Sequence, residues 1–144
     1  EAFVEGREFN VALIEERSGV KILPLAEMRF VDWDDRRPRI VGYGAKWHAS
    51  DPAFSATVRH FGCEEAEPEL AARLRDTARR CWEVFGLGGY GRVDLRVDAR
   101  GQPYILELNC NPCLSPDAGF AAAAHQAGYD YSRLIDLIVQ VTSR

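Results

Sequence analysis

The order of apolar and polar residues along the chain predicts strands at its start and a long helix in its middle. Residues 8–14 alternate in character and residues 20–25 follow after a short turn, so the two segments together predict a β-hairpin. Residues 40–47 predict a further short extended stretch. Apolar residues recur at helical spacing over residues 68–85, with a proline suited to the first turn and a glycine just after the last. The pattern of residues 50–68 is irregular.

The second half of the chain predicts another pair of strands and two closing helices. The strands cover residues 90–97 and 103–109, and the helices cover about residues 117–126 and 131–142. The fold class is therefore α+β: an antiparallel β-sheet with packed helices, backed by the helix at 68–85.

Composition excludes several classes of protein. The 144 residues are 47% hydrophobic and 28% charged, which is the balance of a globular chain and not of a disordered tail or a fibre. The 18 Lys and Arg against 22 Asp and Glu give a net charge of -4, so the chain lacks the basic surface of a nucleic-acid-binding protein. No segment approaches the roughly 18 apolar residues that span a bilayer. We expect neither nucleic acid nor membrane as a partner.

The cysteines and the first residues bear on cellular setting and completeness. Four cysteines are too few for a disulfide scaffold of this length, which favours a reducing, cytoplasmic location. Cys81 falls within the long helical pattern and is expected in the core. The chain opens in the middle of a pattern, so we expect it to be a fragment of a longer protein.

Alternation along the later two strands places the charged side chains on one face. Arg92, Asp94 and Arg96 share a face, and the apolar residues between them take the other. On the partner strand one face carries Ile105, Glu107 and Asn109, and the other carries Tyr104, Leu106 and Leu108. Burying the two apolar sets together fixes which faces match. Pairing that starts with Val97 opposite Tyr104, next to the turn, then brings the polar sets together.

In that register Asp94 lies opposite Glu107, and directly opposed carboxylates repel unless a cation lies between them. The carbonyl oxygen of Asn109, opposite Arg92, completes a hard, all-oxygen set that suits Mg²⁺ or Mn²⁺ better than zinc. Arg92 could neutralise charge on a transferring phosphoryl group. The alternative is a solvated face on which Arg92 and Arg96 pair with the acids.

Five segments in chain order add to this pattern. They are residues 1–9 (Glu-Ala-Phe-Val-Glu-Gly-Arg-Glu-Phe), 45–47 (Ala-Lys-Trp), 89–94 (Gly-Tyr-Gly-Arg-Val-Asp), 104–112 (Tyr-Ile-Leu-Glu-Leu-Asn-Cys-Asn-Pro) and 127–131 (Ala-Gly-Tyr-Asp-Tyr). Together they resemble the C-terminal half of the ATP-grasp fold, most closely in its D-alanine–D-alanine ligase branch. The resemblance covers nearly all of residues 1–144. It implies that the N-terminal half of the ATP-grasp domain lies outside this chain and that the isolated fragment is a poor catalyst.

The resemblance implies a role for each polar residue of the strand pair. Asp94, Glu107 and Asn109 are expected to hold the Mg²⁺ (or Mn²⁺) ions that bridge the phosphates of ATP. Arg92 is expected to act as the catalytic cation that stabilises the acyl phosphate and the tetrahedral species after it.

The resemblance also implies a nucleotide site in the first third of the chain. Glu1 and the backbone around Phe3 and Val4 are expected to meet the adenine, and Glu8 the ribose hydroxyls. Lys46 is expected to reach the phosphates from a loop. Taken without the resemblance, Lys46 and Glu8 are ordinary solvated charges.

The implied activity is the ATP-dependent joining of a carboxylate to an amine through an acyl phosphate. The partners are small-molecule carboxylate and amine substrates, either amino acids or peptides, and a homodimer is compatible with this assignment.

Two positions depart from the pattern of the D-alanine ligases. Cys113 stands where the family has glycine, and Ala118 stands where it uses a serine to bind the substrate carboxylate. Asp117, next to it, could contact an amine or cap the following helix. These departures leave D-alanine specificity open.

A second class of function is a non-catalytic nucleotide-binding or zinc-stabilised interaction module. Cys110-x-x-Cys113, with His60-x-x-Cys63 upstream, supplies four residues of the types that bind zinc. Cys110, however, falls within the strand end that carries the oxygen ligands.

Overall fold

A computed structural model describes residues 2–33, 36, 39–40 and 56–142. Within this part of the chain, six strands form one antiparallel sheet and four helices pack on it. The strands are β1 (Arg7–Glu16), β2 (Gly19–Ile22), β3 (Ala26–Phe30), β4 (Thr57–His60), β5 (Tyr90–Val97) and β6 (Pro103–Asn109). The helices are α1 (Cys63–Ala66), α2 (Pro68–Val84), α3 (Gly119–Gln126) and α4 (Tyr131–Thr142). The predicted α+β class with an antiparallel sheet is confirmed.

Strand β1 is the centre of the sheet. The strand order is β4-β3-β1-β5-β6, and β2 pairs with the far end of β1. Successive side chains of a strand point to opposite faces, and both faces of β1 are covered. Phe9, Val11 and Leu13 pack in one core, whereas Ala12 and Ile14 pack in another. In the buried middle of β1 the polar residues Glu8 and Asn10 bind groups on the neighbouring strand β5.

The two cores use different helices. The first core lies under α2, which contributes Leu74 and Trp82, and Cys81 is buried there as predicted. The second core lies under α3 and α4, which contribute Phe120 and Leu134. No helix of the described residues is long and apolar enough to cross a membrane.

The predicted element bounds are confirmed for β5, β6 and α4, and α2 ends one residue earlier than predicted. Residues 50–68, whose pattern is irregular, contain two elements that the sequence did not predict, β4 and α1. Strand β4 exposes its apolar residue Val58 (45% exposed) and is held by pairing with β3, so it has no buried face for a pattern to show. The stretch predicted at 40–47 lies outside the described residues, apart from Ile40.

The β5–β6 hairpin has the predicted register at one end only. Asp94 pairs with Glu107, as predicted, and two residues further from the turn Arg92 pairs with Asn109. Next to the turn the prediction is wrong, since Val97 pairs with Pro103. The two registers are joined by a β-bulge at Asp94/Leu95, where β6 carries one extra residue.

Because of the bulge, the residues of β6 next to the turn lie on the opposite faces from those predicted. Directly paired residues share a face, so Tyr104, opposite Arg96, lies on the polar side, and Ile105, opposite Leu95, lies on the α2 side. Leu106 was expected to be buried, but it is 45% exposed. The physical reason is that β6 is an edge strand, so its apolar side chains have less of the molecule around them.

Candidate active site

The polar centre of the sheet is the carboxylate of Asp94. The guanidinium of Arg92 donates to both of its oxygens, from Nε to Oδ1 at 2.7 Å and from the Nη2 amino group to Oδ2 at 2.8 Å. Asn10, which pairs with Asp94 across β1 and β5, donates from Nδ2 to Oδ1 at 2.9 Å. Asp94 is only 4% exposed. Its carboxylate is therefore fixed in orientation from two sides, and Oδ2 keeps an acceptor position.

Arg92 is a permanent cation in this setting. Burial acts to lower its pKa, but the hydrogen bonds to Asp94 and the negative charges of Asp94, Glu107 and Glu8 outweigh burial and raise the pKa further. The alternative interpretation is confirmed in one part, because Arg92 pairs with an acid, Asp94, but it is wrong in placing this pair on a solvated face, because the pair is largely buried.

The two remaining residues of the oxygen set lie on β6. Glu107 is exposed and lies directly across from Asp94. Asn109 is half-buried, and its Oδ1 accepts the backbone N–H of Asn111 at 2.9 Å. The Oδ1 of Asn111 in turn accepts the hydroxyl of Tyr90 at 2.7 Å. These bonds hold the Asn109 side chain in place next to the carboxylates.

This donor set fits a hard divalent cation. Two opposed carboxylates, one rigid and one open to solvent, together with an amide oxygen, are the ligands that Mg²⁺ takes when it keeps water or phosphate in its other positions. In the described ranges no group of three or more His, Cys, Asp or Glu side chains could hold a metal. The four candidate zinc residues belong to that search, and Cys63 is buried in the α2 core. The zinc alternative therefore finds no support.

A buried ion pair connects the sheet to the segment before β1. Glu8 and Arg96 pair across β1 and β5, with Oε2 and an Nη nitrogen 3.0 Å apart. Arg96 also donates from Nε to the carbonyl oxygen of Val4 at 2.9 Å, and its guanidinium lies 5.1 Å from the ring centre of Phe3. It donates further to the carbonyl of Arg39. Arg96 thus brings together Phe3, Val4 and Glu8, three residues that the resemblance placed at the nucleotide.

Sequence reasoning missed the roles of Asn10 and Arg96. The alternative interpretation placed Arg96 on a solvated face, yet it is 2% exposed. A signal for Asn10 was present, because it is a polar residue between the apolar residues Phe9 and Val11 of a strand. No local pattern could identify the partner of Arg96, since Glu8 is 88 positions away in the chain. Glu1 and Lys46 lie outside the described residues.

The loop after β6 connects Asn109 to α3. Cys113 is exposed, and its hydrogen bond with the hydroxyl of Ser115 (3.3 Å) is the main cause that lowers the pKa of its thiol. Asp117 does not cap α3, contrary to one of its two expected roles. The helix begins at Gly119, after Ala118, and no side chain caps it.

Comparisons with known proteins cover the whole chain. Residues 1–140 match the family described as D-ala D-ala ligase C-terminus. The chain is 33% identical over 145 residues to the uncharacterized protein y4sG of Sinorhizobium fredii, and 36% identical over 136 residues to the D-alanine–D-alanine ligase of Laribacter hongkongensis. These alignments cover 100% and 93% of this chain but 40% and 38% of the two relatives. The chain thus spans about two fifths of the curated relatives it matches.

Solved structures give the same result for the fold. The D-alanine–D-alanine ligase of Bacillus anthracis complexed with ATP superposes with a TM-score of 0.74 at 25% identity, over 100% of this chain and 40% of that one. The VanG D-Ala:D-Ser ligase of Enterococcus faecalis shares the fold with a TM-score of 0.69 at 14% identity, over 97% of this chain and 37% of its own.

Proposed function

The chain belongs to the D-alanine–D-alanine ligase C-terminal family of the ATP-grasp fold, and from this premise we propose that it is the Mg-ATP-binding part of an ATP-dependent carboxylate–amine ligase. Residues 1–144 then form the C-terminal part of an ATP-grasp domain within a longer protein. In the proposed reaction a substrate carboxylate attacks the γ-phosphate of ATP, and ADP leaves. An amine then displaces phosphate from the acyl phosphate, and an amide bond forms.

The observation that supports this proposal most strongly is the pairing of Asp94 with Glu107 across β5 and β6. Opposed carboxylates destabilise a sheet, and here Asp94 is in addition buried and held by Arg92 and Asn10. An enzyme gains from such an arrangement when a cation neutralises both acids. We assign Asp94, Glu107 and Asn109 as the residues that hold Mg²⁺ or Mn²⁺. Bound there, the cation would neutralise charge on the phosphates of ATP.

Arg92 supplies the second positive charge. Its Nε and one amino group bind Asp94, and among the described residues the second amino group has no hydrogen-bond partner. A guanidinium that is fixed on one edge and open on the other can bind oxygens that gain negative charge during the reaction. Because Asp94 holds it before substrate arrives, little reorganisation is needed at the moment of transfer.

The segment before β1 supports a nucleotide site next to these residues. Arg96 fixes the Val4 carbonyl and the Glu8 carboxylate, so backbone and acid are presented together. We assign Phe3 and Val4 to the adenine and Glu8 to the ribose hydroxyls. Glu1 and Lys46 stay predictions for the adenine and the phosphates.

The substrates are a small carboxylate and a small amine, which we take to be amino acids or short peptides. Proteins named D-alanine–D-alanine ligases are among the relatives, but Cys113 and Ala118 depart from that pattern. A cytoplasmic location and a homodimer stay predictions.

The test of this function is Glu107→Gln in the full-length protein. We expect ATP-dependent phosphate release, measured with a panel of amino acids, to fall by about 10²–10³-fold, since one charge that supports the metal is lost. Glu83→Gln is the matched control, because Glu83 is exposed at the end of α2, and it should leave the rate unchanged.

A second measurement does not depend on turnover. Mn²⁺ should broaden the backbone NMR signals of Asp94, Glu107 and Asn109. A non-hydrolysable ATP analogue should lower the Mn²⁺ concentration at which this broadening occurs. Wild-type turnover by Glu107→Gln, or broadening centred elsewhere, would contradict the assignment.

A further inference from the structure

Arg59 lies in an unusual position between β4 and the start of α3. A Cβ atom built on Gly119 would lie 3.5 Å from Nε of Arg59 and 3.6 Å from one of its amino groups. The guanidinium therefore rests against the main chain of the first helical residue. Arg59 is half-buried, and within the described part of the chain it makes no hydrogen bond and no ion pair within 4 Å. The nitrogens of its guanidinium keep contact with solvent and are therefore open to a ligand.

One positive and one negative side chain act on Arg59 through space. Burial lowers the pKa of Arg59, the positive charge of Arg92 lowers it further, and the negative charge of Asp117 acts weakly in the opposite direction. Arg92 is balanced by Asp94 at ion-pair distance. Asp117 is exposed and lies too far from Arg59 to form an ion pair. This leaves Arg59 as an uncompensated cation beside the proposed catalytic arginine.

We propose that Arg59 binds the α-carboxylate of an amino-acid substrate. This inference rests on the proposed ligase function and narrows its substrate class. The planar guanidinium matches the two oxygens of a carboxylate. One uncompensated positive charge also matches a singly charged carboxylate better than a phosphate, whose charge is higher.

The surroundings of Arg59 fit the same ligand. Ala118 has no polar side-chain atom, so the side chain before α3 cannot bind an anion itself. Gly119 carries no side chain that would separate the guanidinium from the helix start. The exposed carboxylate of Asp117 lies beyond ion-pair distance from Arg59. It supplies a separate negative charge for the positively charged amine of the same amino acid. The site therefore selects α-amino acids over amines that lack a carboxylate.

The first experiment uses acetate as a probe of the full-length protein, without ATP or metal. Acetate should shift the backbone NMR signals of Ala118, Gly119 and Phe120 in a saturable way, and acetamide, which has the same shape without the charge, should not. Arg59→Met should weaken acetate binding by about tenfold or more, because charged hydrogen bonds are lost. Arg79→Met removes an exposed arginine of α2 and is the matched control. Equal acetate binding by wild type and Arg59→Met, or no saturable shift, would overturn the proposal.

The second experiment measures kinetics with an amino acid that supports phosphate release. Arg59→Met should raise the KM for that amino acid by about tenfold or more, and leave the KM for ATP unchanged. Arg59→Lys keeps the charge but not the planar guanidinium, so its KM for the amino acid should lie between those of the wild type and Arg59→Met.

The two proposals fail in different ways. If acetate binding depends on Arg59 but the protein shows no ATP-dependent phosphate release, the carboxylate site is supported and the ligase function is contradicted. If phosphate release depends on Glu107 but the kinetics of Arg59→Met are unchanged, the ligase function is supported and the role of Arg59 is contradicted.

Discussion

The charged residues of β5 look alike in sequence but differ in function. Asp94 and Arg92 form a pair that leaves acceptor and donor positions for ligands, whereas Arg96 is 2% exposed and uses its nitrogens on Glu8 and two backbone carbonyls. What distinguishes them is the residue opposite on β1, which is Asn10 for Asp94 and Glu8 for Arg96. The chemistry of each position is thus set by its cross-strand neighbour.

Glu27 gives a prediction at the residue scale that concerns acid stability. It is 7% exposed and accepts hydrogen bonds from Nε of Arg7 at 2.8 Å and Nε of Arg29 at 3.0 Å. Burial acts to raise its pKa, but the two guanidinium groups outweigh burial and hold the pKa below the ordinary value of 4.5. Such a group stabilises the folded state above its unfolded-state pKa. The contribution is lost as the pH falls through the lower, folded-state pKa.

We therefore expect Glu27→Gln to lower the free energy of unfolding at pH 7 by about 1–2 kcal/mol, since both arginines are partly solvated. It should also reduce the loss of stability below about pH 4.5. Urea denaturation at several pH values measures both effects. Glu65→Gln, which changes an exposed carboxylate on α1, is the control. An unchanged acid-side slope in Glu27→Gln would contradict the role of the pair.

At the scale of elements, the entry into β1 depends on a close approach of two backbones. Gly6 has a φ of 151°, and a Cβ on it would lie 1.9 Å from the carbonyl oxygen of Val97 at the end of β5. No side chain fits there without moving one of the strands. The same backbone leads from Val4, which Arg96 binds, into β1.

Gly6→Ala should therefore destabilise the protein by about 3 kcal/mol or more, because strain at positive φ and a backbone clash add together. Gly128→Ala is a matched comparison: Gly128 also has a positive φ (88°), but a Cβ there would meet nothing within 4 Å. Its cost should be about 1–2 kcal/mol. Thermal denaturation of both variants tests the difference, and equal losses would show that the clash is absent.

The elements also show what sequence can and cannot predict. The hairpin of β5 and β6 was predictable because its pattern is local and its apolar sets must match. The bulge was not, because its extra residue lies on an exposed edge strand where neither face constrains the register. Strand β4 was missed for a related reason: its pairing with β3 joins residues about 30 positions apart in sequence. Arg59 lies on that strand, so its contact with Gly119 could not be foreseen either.

At the scale of the whole molecule, the two cores are connected differently to the site. The ring of Phe120, in the second core, contacts Tyr90 edge to face with centroids 5.6 Å apart. Tyr90 binds Asn111, which binds Asn109. Leu74 lies on α2 in the first core, among apolar residues, and within the described part of the chain it takes no part in this hydrogen-bonded series.

Truncation of either core should thus have different effects. Leu74→Ala and Phe120→Ala should each cost about 3–5 kcal/mol of stability, because both side chains are fully buried. Only Phe120→Ala should also weaken Mn²⁺ binding, by about tenfold, because the support of Asn109 is disturbed. Denaturation and Mn²⁺ titration, both on the full-length protein, separate the two effects. Equal weakening of Mn²⁺ binding in Leu74→Ala would contradict this division.

The β-bulge has a consequence for how this unit tolerates change in length. It lies between the turn at residues 98–102 and the pairs Asp94–Glu107 and Arg92–Asn109, so it absorbs a one-residue difference in register before that difference reaches the acids. The turn itself is an exposed loop, closed by hydrogen bonds from the backbone N–H groups of Arg100 and Gln102 to Asp98. We therefore expect that residues can be added to or removed from this turn while the spacing of the proposed ligands is preserved. The turn is likewise a suitable place to insert a label or a peptide tag into the protein.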